Sequence, residues 1–388
     1  MSLAESVDFG TPHLPDCPSI SIDGFSLARI RDELTRLPPY EETGHAVASI
    51  VARWNKDPES IDPIYEIGAV MESIRALPRG DVRVGAMNTY VRALGEPQVL
   101  ATLLDMMRAS ALRPGSRGEE LTRMSRNAAR HCAYGWAGQT LLVASDEKLT
   151  NGTLEPEPGV RELIGGCPPS VWGLSLHVWQ PNPNAKGFPS GARIGPDIVV
   201  EPPHSHPFEY SSMVATGTLR QSIYAQRALR SAPGGLGAGA DGGAAARRRY
   251  DGVRLEHVDG VWPEHTYQAS CELETVEEGV DLRPGESYYL PCDMIHDVEF
   301  ETKAARSTPT ITLFLASEII VKPHVYIAPA MADAHAARPG LKDEWEALSS
   351  SAWHAKLEAV AAYLRGDRPT LLLDDIVKCD AEYAFFHA

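Results

Sequence analysis

The sequence predicts an α+β protein in which helices come first, a sandwich or barrel of short strands follows, and helices return at the end. Three observations carry this expectation. Apolar residues recur at three- and four-residue steps through the first third of the chain, the period of a helix with one buried face. From Gly135 to about residue 320 the pattern changes to short alternating or branched runs separated by turn formers, the mark of many short strands. Helical spacing returns over 341–348 and 353–364. The expected organisation is a helical N-terminal region over 1–134, a β-rich region over 135–330 and a C-terminal helical extension over 331–388.

Composition narrows the function classes. At 388 residues the chain is long enough for one large domain or two. Hydrophobic residues at 43% and charged residues at 23% match ordinary globular usage, so a core can form without disulfide staples. The net charge of −16 argues against a sequence-independent hold on nucleic acid, which needs Lys and Arg against phosphate. The cysteines at 17, 132, 167, 271, 292 and 379 are scattered, with no C-x-x-C pair. They signal neither a zinc knuckle nor a disulfide framework, and free thiols in a reducing cytoplasm are expected. The first residues lack the basic start and apolar run of a secretory leader. No stretch approaches the ~18 consecutive apolar residues of a membrane span. A cytoplasmic location follows as an expectation.

Residues 1–24, rich in Pro, Ser and Asp, read as an irregular arm, and Leu27, Ile30, Leu34 and Leu37 then space a helix that Pro38-Pro39 stops. Further helices are expected over 43–54 (Val47, Ile50, Val51), 64–76 (Ile67, Val70, Met71, Ile74) and 97–112 (Leu100, Leu103, Leu104, Met107). Pro97 suits a first helical position. One more helix is expected over 118–131. His45 and His131 are single histidines in helical patterns and are read as structural.

Strands are expected over 139–144, 172–180, 210–215, 219–225, 253–258, 266–274, 287–290, 297–301 and 310–316, with 198–201 leading into a double histidine and Gly217 as a turn. Residues 231–249 are a low-complexity run of Gly and Ala ending in Arg247, Arg248 and Arg249. Such composition buries too little apolar area to offset its ordering entropy, so a flexible insertion is expected, with the arginines as a solvated charge run.

The chemistry concentrates in two places. Pro203-His204-Ser205-His206-Pro207-Phe208-Glu209-Tyr210 carries two histidines one residue apart. On an extended strand both imidazoles lie on one side and can reach one metal ion. His296, in Tyr289-Leu290-Pro291-Cys292-Asp293-Met294-Ile295-His296, is the candidate third ligand. His177 alternates with Ser175 and Trp179; it is an acid, base or substrate contact if that face looks inward, and a hydrogen-bonded structural histidine otherwise. His265 is a spare ligand candidate but reads as part of a strand-entry turn, and Arg193 and Arg220 are candidates to pair with a substrate carboxylate or phosphate.

These pieces resemble the cupin superfamily of small β-barrels over roughly residues 135–320. The first cupin motif is a His-x-His pair, a short spacer, usually a glutamate, six residues and a glycine; His204, His206 and Gly217 match. The second is a glycine, five residues, a proline and a histidine five positions on; Gly285, Pro291 and His296 match, and Asp293 stands where a second glycine is usual. Tyr210 occupies the usual glutamate position, and Glu209 sits one place earlier. On a regular strand Glu209 faces away from the histidines; a bulge at Pro207 would turn it inward as a fourth ligand.

The resemblance implies a cupin barrel of jelly-roll type and a metal enzyme. With His204, His206 and His296 as ligands it implies the three-histidine Fe(II) dioxygenases of the cysteine dioxygenase kind. The Ser-x-His-x-Tyr run of those enzymes is absent, and Thr310-Ile-Thr-Leu-Phe-Leu-Ala stands in that region, so no thiol substrate is assigned. The expected reaction is O2-dependent oxidation of a small organic molecule, with Tyr210, Tyr224 or Tyr288 supplying a phenol and Glu209, Asp293, Asp297 and Glu299 as candidates to orient the ligand histidines. Zinc, nickel or manganese on the same scaffold would instead serve an isomerase or lyase, and a scaffold without turnover would be a binding protein. A homodimer is a family expectation.

Overall fold

Helix α1 (Glu41–Lys56) buries Val47, Ile50 and Trp54 along one stripe, as its spacing requires. A computed structural model of the chain describes residues 40–57, 62–111, 138–145, 172–179, 192–195, 198–206, 208–227, 247–258, 261–292, 294–301, 308–318, 324–327 and 350–371. The expected helices over 118–131 and 341–348, and most of the 231–249 insertion, lie outside these residues. Helix α2 (Pro63–Arg75) starts where the Asp62 carboxylate accepts from the Ile64 and Tyr65 amides, with Pro63 just inside. Helix α4 (Pro97–Ala111) begins at the expected proline, and the Glu96 carboxylate accepts from the amides of Gln98 and Val99 at 3.0 Å each.

Between them lies α3 (Asp81–Gly95), which the periodicity did not predict. Arg83, Val84, Met87, Asn88, Tyr90, Val91 and Leu94 are all buried, so it has no polar face to set a period. It is the helix that packs on the strands: a Cβ on Gly95 would sit 2.9 Å from the Met213 sulfur. Helix α5 (Ser350–Arg365) packs on α4.

The strands in chain order are β1 (Gly138–Ser145), β2 (Gly173–Trp179), β3 (Ala192–Gly195), β4 (Ile198–His204), β5 (Tyr210–Thr216), β6 (Leu219–Arg227), β7 (Arg247–Val258), β8 (Val261–Leu282), β9 (Ser287–Leu290), β10 (Ile295–Glu301), β11 (Thr310–Ala316) and β12 (His324–Ile327). They form a five-stranded sheet, β1-β2-β11-β5-β9, and a seven-stranded sheet, β10-β6-β8-β7-β12-β4-β3, in which β10 also pairs with β4. Every pairing is antiparallel. The α+β class stands. The strands lie in two sheets that no ladder joins among the described residues, so the expected barrel is not closed there. The side chains packed between them, Tyr210, Val214 and Phe314 from one and Leu219, Ile223 and Val298 from the other, separate facing sheets by about 10 Å, beyond ladder reach.

The five-stranded sheet is buried on both faces. Leu174, Leu176 and Val178 of β2, Met213 and Ala215 of β5, and Ile311, Leu313 and Leu315 of β11 join the helices in one core. The alternate residues look toward the second sheet. Two boundaries are corrected. Arg247, Arg248 and Arg249 belong to β7, in register with Glu274, Leu273 and Glu272, because the backbone ladder to β8 extends that far. His265 lies inside β8, opposite Leu255, because the strand runs through Pro263 rather than starting after it.

The motif glycines have a conformational reason. Gly217 has φ +73° and turns the chain from β5 into β6, and a Cβ there would stand 2.6 Å from the Thr310 Cα. Gly285 has φ +85° in the turn before β9. Gly217→Ala is expected to cost at least about 2 kcal/mol, from left-handed strain plus a backbone overlap. A urea denaturation midpoint unchanged from wild type would contradict this.

Candidate metal centre

Strand pairing sets the site. His204 at the end of β4 lies directly opposite His296 of β10. The register then slips, so that Val298 faces Glu201 and β4 carries an extra residue at Pro202-Pro203. Prolines cannot donate to the ladder and suit such a bulge. Beyond the strand, the Ser205 amide donates to the His324 carbonyl at 2.9 Å and the His324 amide donates to Ser205 Oγ at 3.2 Å. β12 thus pins the residue between the two histidines and leaves His206 directed to the other side.

The three imidazoles converge. Each of His204, His206 and His296 offers a ring nitrogen within 4.8 Å of the other two. The Nε2 atoms of His206 and His296 are 3.1 Å apart. Ring centroids are 5.0 Å apart for His204 and His206, and 4.5 Å for His204 and His296. His296 is 2% exposed. Burial, then the neighbouring histidines, hold His206 and His296 well below the usual imidazole range, so both rings are neutral.

Aromatic side chains wall the cluster. Phe208 stacks on His206 at 5.4 Å, and Tyr210 meets it edge-on at 4.9 Å. The Tyr210 hydroxyl is 3.4 Å from His296 Nε2. Phe314 lies 4.6 Å from the Tyr210 ring and 5.3 Å from that of His177. His177 therefore does face inward from β2, and burial lowers its pKa to about 4.

Other expected participants are directed elsewhere. Glu209 is 3% exposed, and its carboxylate accepts from the Tyr289 hydroxyl at 2.6 Å. Burial raises its pKa, and its charged neighbours are Glu318, Arg83 and Arg79 on the helix side of the sheet. It is not in the group of convergent ligand atoms; the bulge falls at Pro202-Pro203, and strand alternation takes Glu209 away from the histidines. Asp297 accepts from the Tyr224 hydroxyl at 2.5 Å and the Ser222 amide at 3.0 Å, and burial raises its pKa to about 6. Glu299 and Asp281 flank the exposed Arg220, which points away from the cluster. Neither Asp297 nor Glu299 thus orients a ligand histidine, and His296 Nδ1 is buried without a partner among the described residues. Asp293 and the side chain of Arg193 lie outside the described residues.

Sequence reasoning missed a second polar network beside the site. Glu318 accepts from Arg79 at 2.8 Å, from Arg83 at 3.2 Å and from the Trp172 indole at 2.6 Å. The Arg83 guanidinium lies 5.0 Å over the Trp172 ring. This network ties α3 to the end of β11, where the Ser317 amide donates to the Glu209 carbonyl at 2.9 Å. Its members are scattered along the chain, and no local signal marks it.

No protein-family model matches the chain, and no curated protein does. Similar solved structures include oxalate decarboxylase of Bacillus subtilis, at 11% identity and TM-score 0.22 over 55% of this chain and 36% of that one. A hydroquinone 1,2-dioxygenase is similar at 14% identity and TM-score 0.16, over 49% and 75% of the two chains. L-ribose isomerase of Cellulomonas parahominis is similar at 12% identity and TM-score 0.23, over 52% and 79%. The chain spans about a third of the length of the oxalate decarboxylase chain. Superpositions this loose transfer no activity to it.

Proposed function

We propose that the protein is a metal-dependent oxygenase of the cupin type, in which His204, His206 and His296 hold Fe(II) and a small organic molecule is oxidised by O2. The convergence of three imidazole nitrogens carries this reading. Two nitrogens bound at about 2.1 Å to one ion, with an angle between square and tetrahedral, are about 3.0–3.4 Å apart; His206 and His296 stand at 3.1 Å. Burial keeps both rings unprotonated, the form that binds metal. The cupin assignment rests on the two histidine motifs with Gly217 and Gly285 both at positive φ.

Bound iron would supply positions where O2 and substrate meet. The chain supplies the rest. Tyr210 directs a hydroxyl at the space beside His296 Nε2, where it can donate to an oxygen held there. Phe208 and Phe314 give that space apolar walls, with ring centroids 5.4 and 6.3 Å from that of His206. His177, neutral over the physiological range, offers one donor and one acceptor nitrogen. The isomerase or lyase reading, with another metal as Lewis acid, would gain from Glu209 as a fourth ligand, and that carboxylate is bound to Tyr289 instead.

The test is metal analysis with oxygen uptake over a panel of aromatic, thiol and amino-acid substrates. Anaerobically purified protein is expected to hold one iron per chain and to consume O2 with at least one substrate. Turnover that proceeds at full rate without O2 would refute the oxygenase reading.

A further inference from the structure

Gln221 is the one fully buried side chain between the two sheets whose amide oxygen and amide nitrogen both lack a partner among the described residues. Its direction is fixed by its neighbours. On β6, Leu219 and Ile223 pack inward with residues of the facing sheet. Arg220 is exposed and paired with Asp281, and Tyr224 donates to Asp297 outside. Alternation therefore turns Gln221 inward with Leu219 and Ile223. Its distance from the metal centre follows from register: Ile223 is opposite His296, and Gln221 is opposite Val298. Two residues of strand place it about 7 Å deeper than the histidines. On the facing sheet Ser212 lies between the inward residues Tyr210 and Val214, and its buried hydroxyl is also unpartnered.

A buried carboxamide with nothing to bond costs stability, and native proteins rarely keep one without a use. An apolar residue of the same size would fit between Leu219 and Ile223. We propose that a substrate enters between the two sheets and that Gln221, assisted by Ser212, sets specificity at its inner end. It takes the neutral donor–acceptor face of a carboxamide, lactam or ureide in a substrate whose other end meets the histidine cluster. This rests on the metal-centre reading for the reacting end only. The chemistry selects the class. A carboxamide donates through Nε2 and accepts through Oε1, so its full complement is another amide edge. Among the residues packed nearest Gln221, namely Leu219, Ile223, Val298, Ser212, Val214 and Tyr288, there is no Lys or Arg, so a buried carboxylate at that level would lack a counter-charge. The rings of Tyr210, Tyr288 and Phe314 pack against one another between Gln221 and the histidines, with centroids 5.9 and 4.6 Å from that of Tyr210, an aromatic surround that suits a flat or aromatic body.

Calorimetric titration of the full chain with benzamide, benzoate and toluene tests this, on metal-loaded and chelator-stripped protein. Wild type is expected to bind benzamide at least about tenfold tighter than either of the others, and Gln221→Leu to lose at least about tenfold of that affinity. The same variant, relieved of two orphaned polar atoms, is expected to unfold at an equal or higher temperature. Equal affinity for benzamide and toluene, no binding of any probe, or a Gln221→Leu protein that binds benzamide as wild type overturns the inference. A less stable Gln221→Leu protein does the same, because the amide would then be serving the fold. Metal content measured on the same samples separates the readings. Protein that takes up no metal yet selects benzamide sinks the metal centre alone, and protein that holds metal but ignores the amide sinks the recognition role alone.

Discussion

His204→Ala and His296→Ala are each expected to lower metal affinity by at least about a hundredfold, since the loss of a mere outer partner of a ligand costs 10–100-fold. The reason is geometric. The cluster has three ligand atoms and no carboxylate among the described residues, so no side chain stands ready to replace a lost imidazole. Glu209→Gln gives the contrast. That carboxylate is held by Tyr289 on the far side of the strand, so the variant is expected to keep wild-type metal content. Anaerobic titration followed by elemental analysis checks all three. Full metal in both histidine variants would refute the centre. Metal loss in Glu209→Gln would place a fourth ligand where the geometry has none.

The second large effect is on stability. Glu318→Leu is expected to cost about 1–3 kcal/mol, the range for leaving buried hydrogen-bond donors unsatisfied. The change leaves the Arg83 guanidinium, whose side chain is 5% exposed, with the Arg75 carbonyl as its acceptor and strands the indole N–H of Trp172. Glu318→Gln keeps an acceptor and is expected to cost about half as much. Urea denaturation measures both. There is a pH signature as well. Burial pushes the Glu318 pKa up, but Arg83 and Arg79 outweigh it and the net shift is downward. A carboxylate lowered in the folded state contributes stability above the ordinary carboxylate range and loses it as pH falls through the lowered value. The acid limb of the stability curve is therefore expected to be shallower in Glu318→Leu than in wild type. Identical acid limbs would show that the ion pair contributes nothing.

Much of the site was legible because its signals are local. A one-residue spacing put His204 and His206 together, and Gly217 and Gly285 announced turns that only glycine makes easily. Alternation grouped His177 with Ser175 and Trp179 on β2, but which way that face looks came only from the packing of the second sheet. What stayed hidden depends on contacts far apart in sequence. Helix α3 is covered nearly all round, which erases the period that would reveal it. Strands β3 and β12 are four residues each and carry no sequence signal of the kind that marked the equally short β9. The partner of Glu209 is eighty residues on, at Tyr289. Asp297 looked like an orienting carboxylate from its place beside His296, yet neighbouring strand residues face opposite ways. The loneliness of Gln221 is a property of its surroundings alone; the letter Q on a strand says nothing of it.

The five-stranded sheet, covered by helices on one side and by the second sheet on the other, is the shared floor of two compartments. Trimming away the helices to isolate the strands would lay bare a greasy slab of leucine, valine and isoleucine from β2 and β11. Such a fragment would clump before any question about its chemistry could be asked.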